Sequence, residues 1–287
     1  MFNNIDILSA GAAPLIAAYC REINLPQITN NVIRWDEKQW NVTPGDLLMA
    51  MVINLLVDRA PLYRISNFYI NRDLDLLFGK DNMTLSALND RHFGTLLDRI
   101  YEAGPECLYH TLTAAAITTH DVDVSQLHTD TTSKSVQGAY DNDDGSINIT
   151  WGHSKDNRPD LKQFLYGLIV AEGVPISAKV MDGNTSDKTW NKEIINELAT
   201  IFPQTIAKDM LYIADSAMVT KEALQKLMKQ AVKFISRLPS TYSLVDALKE
   251  QAISAGDWKQ LGTFSESKDA AEYKVWETTD KLYNHEY

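Results

Sequence analysis

The stretch from residue 125 to residue 238 switches repeatedly between two hydrophobic periods, and the order of the switches admits few folds. Short β-branched or apolar runs at Ser125–Thr132, Ile147–His153, Phe164–Ala171, Pro175–Met181, Met210–Ala214 and Lys233–Leu238 read as strands, the third and fourth forming a hairpin. Two segments between the later strands have helical spacing instead. Over Lys188–Ile201 the residues Trp190, Ile194, Leu198 and Ile201 lie near one face, with Ser186 or Asp187 available as a cap. Over Lys221–Ala231 the stripe is Leu224, Leu227, Met228 and Ala231, with Thr220 as cap and Glu222 in the first turn. A strand meander followed by βαβ crossovers predicts a mixed sheet covered by helices. In that order the first strand and the Met210–Ala214 strand can be neighbours.

Each of those two strands carries an aspartate. Asp130 lies in Leu127-His-Thr-Asp-Thr-Thr-Ser133 and Asp215 in Met210-Leu-Tyr-Ile-Ala-Asp-Ser216. A carboxylate fixed to a sheet suits a hard cation such as Mg²⁺, which usually takes only one or two protein carboxylates and leaves positions for water and phosphate. Two such acids can hold a pair of ions that stabilise the attacking and leaving oxygens of a phosphodiester. The plain alternative is a turn or cap role, which aspartates at strand ends often fill. Thr131 and Thr132 could orient water, although β-branched residues in a strand need no such reason.

Five short stretches around these residues resemble the DDE transposases of bacterial insertion sequences. In chain order they are His128-Thr-Asp-Thr-Thr132, Gly152-His-Ser-Lys-Asp-Asn-Arg-Pro-Asp-Leu-Lys-Gln163, Gly173-Val-Pro175, Asp182-Gly-Asn-Thr-Ser-Asp187 and Ile213-Ala-Asp-Ser-Ala-Met-Val219. The element order is likewise similar to the RNase H-like fold. The resemblance implies that Asp130 and Asp215 are the first two acids of a catalytic triad and bind two Mg²⁺ or Mn²⁺ ions. It implies cleavage and strand transfer of double-stranded DNA at transposon ends and target, by a homodimer in the active complex, in the bacterial cytoplasm at the nucleoid. The third acid of that family is a Glu on a later helix with Tyr, Arg and Lys around it, and no such signature is found here. Glu250, Glu266, Glu272, Glu277 and Glu286 are the candidates by position, and all are expected to lie away from the pair. The expectation is therefore an incomplete form, inactive alone. An RNase H-like nuclease without strand transfer and a non-catalytic DNA-binding relic are the alternatives.

The fold class expected is α+β multidomain: an all-α domain over 1–120, an RNase H-like domain over 121–240, and the start of a β-rich insertion over 241–287. In the first of these, Thr43-Pro-Gly-Asp46 has the cap, N1 proline and first-turn acid of a helix start, with Leu48, Met51, Val52, Leu55 and Leu56 following at helical spacing. Further helices are expected at Pro14–Ile23, Leu62–Tyr69, Ser86–Glu102 and Glu106–Thr118, with breakers at Gly79-Lys-Asp-Asn82 and Gly104-Pro105. Asn89, Arg91, His92 and Arg99 on one of them could serve a helix-turn-helix DNA-end reader, or simply form the solvated face of a bundle.

Charge argues partly against a DNA enzyme. The net charge is -11, whereas affinity for a phosphate backbone comes largely from Lys and Arg; no third of the chain is basic. The most plausible DNA-contacting segment is the loop 153–162, with His153, Lys155, Arg158 and Lys162 in one turn-rich stretch suited to phosphate contacts. Asp182 and Asp187 flank the turn dipeptide Gly183-Asn184 and read as structural. Asp141-Asn-Asp-Asp-Gly145 lacks the spacing and distal Glu of an EF-hand and reads as a solvated turn. Cys20 and Cys107 have no metal-finger spacing and read as free thiols of a reducing compartment. No apolar stretch reaches the roughly 20 residues of a membrane span, and Met1-Phe-Asn-Asn-Ile-Asp6 has no basic region preceding an apolar core, so no secretory signal is expected.

Overall fold

The computed structural model describes residues 7–36, 42–79, 83–141, 147–201, 210–267 and 269–287, with 198–201 described by backbone only. The chain start Met1–Asp6, residues 80–82 of the expected breaker, 142–145 of the acidic turn, and the side chains of Leu198 and Ile201 thus lie outside the described residues. The protein combines helices with a mixed five-stranded sheet, an α+β architecture. Its sheet order is β3-β2-β1-β4-β5, where β1 is Gln126–Val136, β2 Lys162–Ala171, β3 Val174–Met181, β4 Leu211–Ala214 and β5 Lys233–Ser236. The chain divides into two compact units, Met1–Val124 with Tyr166–Met181, and Ser125–Leu165 with Asp182–Tyr287.

The first unit is built on helices α1 (Ala13–Glu22), α2 (Leu25–Val32), α3 (Pro44–Val57), α4 (Ile65–Tyr69), α5 (Leu74–Phe78), α6 (Asp90–Ala103) and α7 (Pro105–His120). Its core is apolar: Leu47, Met49, Ile53, Ile65, Leu77, Phe93 and Leu96 are removed from water, together with Tyr69, whose hydroxyl donates to the Ala50 carbonyl at 2.9 Å. Burial pushes the Tyr69 phenol well above its ordinary range. The start of α3 forms as its residues dictate, a reciprocal capping box in which Asp46 N donates to Thr43 Oγ1 (3.1 Å) and Thr43 N to Asp46 Oδ2 (3.3 Å). Gly45 in that first turn lies against the backbone of Pro26; a Cβ there would fall 2.2 Å from the Pro26 carbonyl oxygen. Helix α7 packs on β3, where Tyr109 Oη donates to Pro175 O at 2.7 Å and His110 Nε2 meets Ser177 Oγ at 3.0 Å.

Two helices of this unit are absent from the sequence expectation. α2, Leu-Pro-Gln-Ile-Thr-Asn-Asn-Val, contains β-branched and Asn residues of low helix propensity, and α5 is only five residues long, started by the Asp73 carboxylate, which accepts from Leu76 N. The helix expected from Ser86 begins at Asp90, because Asn89 caps it: Asn89 Oδ1 accepts from His92 N at 3.0 Å. Leu85–Ala87 form a separate 3₁₀ turn.

In the second unit β1, β4 and β5 run parallel, with Gln126, Leu127 and His128 opposite Leu211, Tyr212 and Ile213, and Leu211–Ala214 opposite Lys233–Ser236. Helix α8 (Asp187–Ile201) is capped by Ser186 Oγ, which accepts from Thr189 N, and helix α9 (Lys221–Lys229) by Thr220 Oγ1, which accepts from Ala223 N. The two helices pack together, with Trp190, Ile194, Ala223, Leu224 and Leu227 buried, and a 2.6 Å Lys192–Glu222 ion pair joins them at the surface. Helix α10 (Ser243–Ala255) and two small hairpins, Lys259–Thr263 with Glu272–Val275 and Lys281–Leu282 with His285–Glu286, complete it.

The strand expected at Ile147–His153 does not form. Thr150 makes a single bridge with Gln163, exchanging both backbone hydrogen bonds, and the segment is then tied to the 182–183 turn: Gly183 N donates to Asn148 O and Asn148 N to Asp182 Oδ1. Gly152 and Gly183 cross in contact here. A Cβ on Gly152 would lie 2.0 Å from Gly183 O, and one on Gly183 would lie 2.0 Å from Gln163 O and 2.5 Å from Thr150 O. Gln163 braces the crossing by donating from Nε2 to Gly183 O at 2.7 Å.

Candidate functional site: two aspartates in register

The strand β1 alternates strictly. Leu127, Thr129, Thr131 and Ser133 are buried, whereas His128 and Asp130 on the opposite face are exposed, and the Asp130 side chain retains 81% of its accessibility. The buried hydroxyls are all engaged. Thr129 Oγ1 accepts from the indole of Trp190 at 3.1 Å, Thr131 Oγ1 donates to Asp187 Oδ1 at 2.5 Å, and Ser133 Oγ accepts from Lys155 N at 2.9 Å. These bonds fix β1 against the start of α8 and the loop 153–162, so the exposed face of the strand is held in one orientation.

Asp215 follows the last residue of β4 with extended backbone (φ -69, ψ 176). Its carboxylate accepts from Ala217 N at 3.1 Å, starting the 3₁₀ turn Ser216–Met218, and its carbonyl accepts from Ser236 Oγ at 2.7 Å. The register of β1 and β4 runs to His128 opposite Ile213, two residues before Asp130 on the one strand and two before Asp215 on the other. Parallel strands lie about 4.8 Å apart, and both Asp130 and Asp215 are exposed. Below them, Tyr212 is buried opposite Leu127 and its hydroxyl donates to Asn191 Oδ1 at 3.2 Å; burial, with the Asp215 charge adding, pushes its phenol far above the ordinary range.

The four loop residues expected to contact DNA have different surroundings. Lys155 points inward: its Nζ lies 2.5 Å from Thr131 O, 2.8 Å from Thr131 Oγ1, 3.5 Å from Asp130 Oδ1 and 3.9 Å from Asp187 Oδ1. Arg158 makes a two-pronged pair with Asp160, at 2.8 and 2.6 Å, and the guanidinium hydrogen bond holds the Asp160 carboxyl below the usual carboxylate range. The Lys162 side chain, 11% exposed, donates to the Ala139 carbonyl and pairs with Asp141 at 2.7 Å while its ammonium stands over the Trp151 ring. His153 is exposed.

Asp187, read from sequence as structural, lies beside Asp130 through Lys155 and Thr131. Its place at a helix start explains that reading, and only the Thr131 hydroxyl across 56 residues reveals the second association. Asp182 does act in the turn, accepting from Asn148 N. Of the third-acid candidates, Glu250 is on α10, Glu272 on the strand Glu272–Val275 and Glu286 on the last strand, with Glu266 and Glu277 in the connections. Among the described residues no group of three or more His, Cys, Asp or Glu is arranged to hold a metal ion, and no helix is long and apolar enough to cross a membrane.

Residues 3–114 match a family described as a domain of unknown function (DUF4277). No curated protein matches the chain. Among solved structures it is similar to a pre-cleavage Mos1 transpososome, at 10% identity and a TM-score of 0.28 over 76% of this chain and 68% of that one. It is also similar to a piggyBac transposase synaptic complex with hairpin DNA, at 11% identity and a TM-score of 0.36 over 86% of this chain and 47% of that one. A Mos1 strand transfer complex matches at 8% identity and a TM-score of 0.27 over 76% of this chain and 67% of that one.

Proposed function

We propose that this chain belongs to a DDE transposase of a bacterial insertion sequence, with an RNase H-like catalytic domain in which Asp130 and Asp215 hold the divalent metal. The observation that supports the reading is the parallel pairing of β1 with β4, His128 opposite Ile213, which makes neighbours of the strands that lead to Asp130 and Asp215, 85 positions apart in the chain. The donor set fits the group: two hard carboxylate oxygens donors, accessible to solvent, with room for water and phosphate oxygens, are what Mg²⁺ or Mn²⁺ takes. When bound, such ions supply Lewis-acid stabilisation of charge on the oxygens of a phosphodiester. The chain's own contribution is rigidity. Thr131 N donates to Asp130 Oδ1 at 2.7 Å and Ala217 N to Asp215 Oδ1 at 3.1 Å, so each carboxylate is oriented by backbone next to it. The substrate is double-stranded DNA at the element's ends and at the target, engaged by a homodimer, with the N-terminal helical unit assisting in end recognition.

The test is Mn²⁺ binding followed by electron paramagnetic resonance, together with cleavage and joining of DNA bearing the ends of the element that encodes the chain. Asp130→Asn and Asp215→Asn are each expected to weaken Mn²⁺ binding at least tenfold and to abolish whatever cleavage the parent protein shows. Unchanged binding in both variants would remove the site assignment. Nicking without joining would favour an RNase H-like nuclease over a transposase.

A further inference from the structure

A lysine ammonium carries three N–H donors and no acceptor. All three of those on Lys155 are accounted for by Thr131 O, Thr131 Oγ1 and Asp130 Oδ1, at 2.5, 2.8 and 3.5 Å. The contacted Thr131 hydroxyl passes its own proton to Asp187 Oδ1 at 2.5 Å, and the ammonium lies 3.9 Å from that same carboxylate. One positive charge thus stands between two negative ones, Asp130 and Asp187. The loop bearing it is anchored independently, since Lys155 N donates to Ser133 Oγ at 2.9 Å; the side chain can therefore leave Asp130 without the loop leaving β1. Its partners on the other sides are Asp130 and Thr131 of β1 and Asp187 of α8; no further charged group is within ion-pair distance of it among the described residues.

We propose that Lys155 is the resident counter-cation of the Asp130 carboxylate, a positioning residue that competes with divalent metal and is released when metal binds. This rests on the reading of Asp130 and Asp215 as metal-holding acids. In the metal-free protein the ammonium neutralises Asp130 and keeps the carboxylate oriented. A divalent ion at Asp130 and the ammonium repel each other at such a distance, so loading the site turns Lys155 outward. Its three donors then become available for a phosphate oxygen beside the metal, and metal binding and phosphate binding favour one another by the same factor. Metal-free and metal-loaded protein accordingly present different charge at the same position.

Mn²⁺ titrations monitored by electron paramagnetic resonance test this on the parent protein, Lys155→Met and Lys155→Arg, each with its melting temperature recorded. Lys155→Met, which keeps the aliphatic stem and removes the charge, is expected to bind Mn²⁺ about fivefold or more tightly than the parent, the lower bound being the effect that one unit charge exerts on another at about 4 Å in water. Lys155→Arg, which keeps the charge, is expected to bind like the parent, and adding Asp130→Asn to Lys155→Met is expected to remove the gain. Equal or weaker binding by Lys155→Met, with binding in the parent still dependent on Asp130, overturns the counter-cation role and leaves the metal-site reading standing. Parent binding that does not depend on Asp130 overturns both. Should Lys155→Met melt far below the parent, Lys155→Gln is measured in its place and read by the same criteria. A third readout is the accessibility of Lys155 to amine acylation, followed by mass spectrometry: a rise on Mn²⁺ addition supports release, and an unchanged rate at saturating Mn²⁺ overturns it.

Discussion

The interior of the N-terminal unit and the buried face of β1 are both withdrawn from water but differ in material. Around Ile53, Ile65 and Phe93 the first is mainly hydrocarbon, with a few buried polar side chains such as Asn54, bonded to Ala60, and Tyr69, bonded to Ala50. Along β1 the buried positions after Leu127 are Thr129, Thr131 and Ser133, each hydroxyl bonded to a specific partner from Trp190, Asp187 and Lys155. A hydrocarbon interior gains its stability from area and volume and accepts many sequences. A hydroxyl-lined one gains little net stability per bond but strongly disfavours any arrangement that leaves a partner unmatched. The difference teaches where the chain uses precision: behind the strand that presents Asp130.

The largest expected effect tests whether that precision extends to the backbone. Gly183→Ala would place a methyl group 2.0 Å from Gln163 O and 2.5 Å from Thr150 O, and neither backbone atom can move without breaking the Thr150–Gln163 bridge. A loss beyond about 4 kcal/mol, enough to prevent folding, is expected in chemical denaturation. A folded Gly183→Ala protein of near-parent stability would show that the 147–153 segment adapts, and the contrast with the helical unit would weaken.

An intermediate effect compares the two interiors directly. Ile53→Ala removes buried methyls from a tightly packed place and is expected to cost about 2–5 kcal/mol. Thr131→Val, which keeps the shape and removes the hydroxyl, is expected to cost about 1 kcal/mol, because Asp187 and Lys155 are partly exposed and water replaces some of what they lose. Its more telling consequence is a loosened Lys155. Equal destabilisation by both substitutions would mean that the polar face is as much a source of stability as the apolar core.

The smallest effect concerns the Tyr242–Tyr283 pair. Tyr242 donates to Val219 O at 3.0 Å and its oxygen lies 2.7 Å from that of Tyr283. Burial first, then the hydrogen bond and charge of Tyr283, push the Tyr242 phenol up to about 12 from 10.0. A group raised in the folded state stabilises below its unfolded value and loses that contribution as pH rises through the folded one. Stability should therefore decline between about pH 10 and pH 12, and Tyr242→Phe should remove one of the late phenolate titrations seen in the ultraviolet, leaving those of Tyr69 and Tyr212. A titration with all tyrosines near 10 would contradict the pairing.

Much of this architecture was legible because its signals are local. Strand β1 shows through its period of two, α3 through Thr43 and Asp46, and α9 through Thr220 and its stripe. The Ile147–His153 run misled because its apolar residues reflect a glycine crossing with a turn 31 residues away, and nothing in a run of residues reports such an approach. The two aspartates were singled out by their strand contexts. Lys155 was read as a phosphate contact and Asp187 as structural, and their association with Asp130 was not legible, for complementary reasons: a long cationic side chain can turn in either direction from its backbone, and an acid at a helix start is already explained by the helix dipole.

The parallel register of β1 and β4 has a consequence for how such a chain can change. Because side chains alternate with a period of two, a slip of β4 by one residue against β1 would send Asp215 to the far side of the sheet. The stretch between the strands can lengthen or shorten without that penalty, since closing a longer loop costs only about 0.6 kcal/mol per doubling. Loops in the intervening sequence are thus free in size while the strands are not free in phase. Insertions should be tolerated in exposed connections away from the Gly152–Gly183 crossing, whereas a single residue added between Tyr212 and Asp215 should turn the Asp215 side chain to the other face of the sheet.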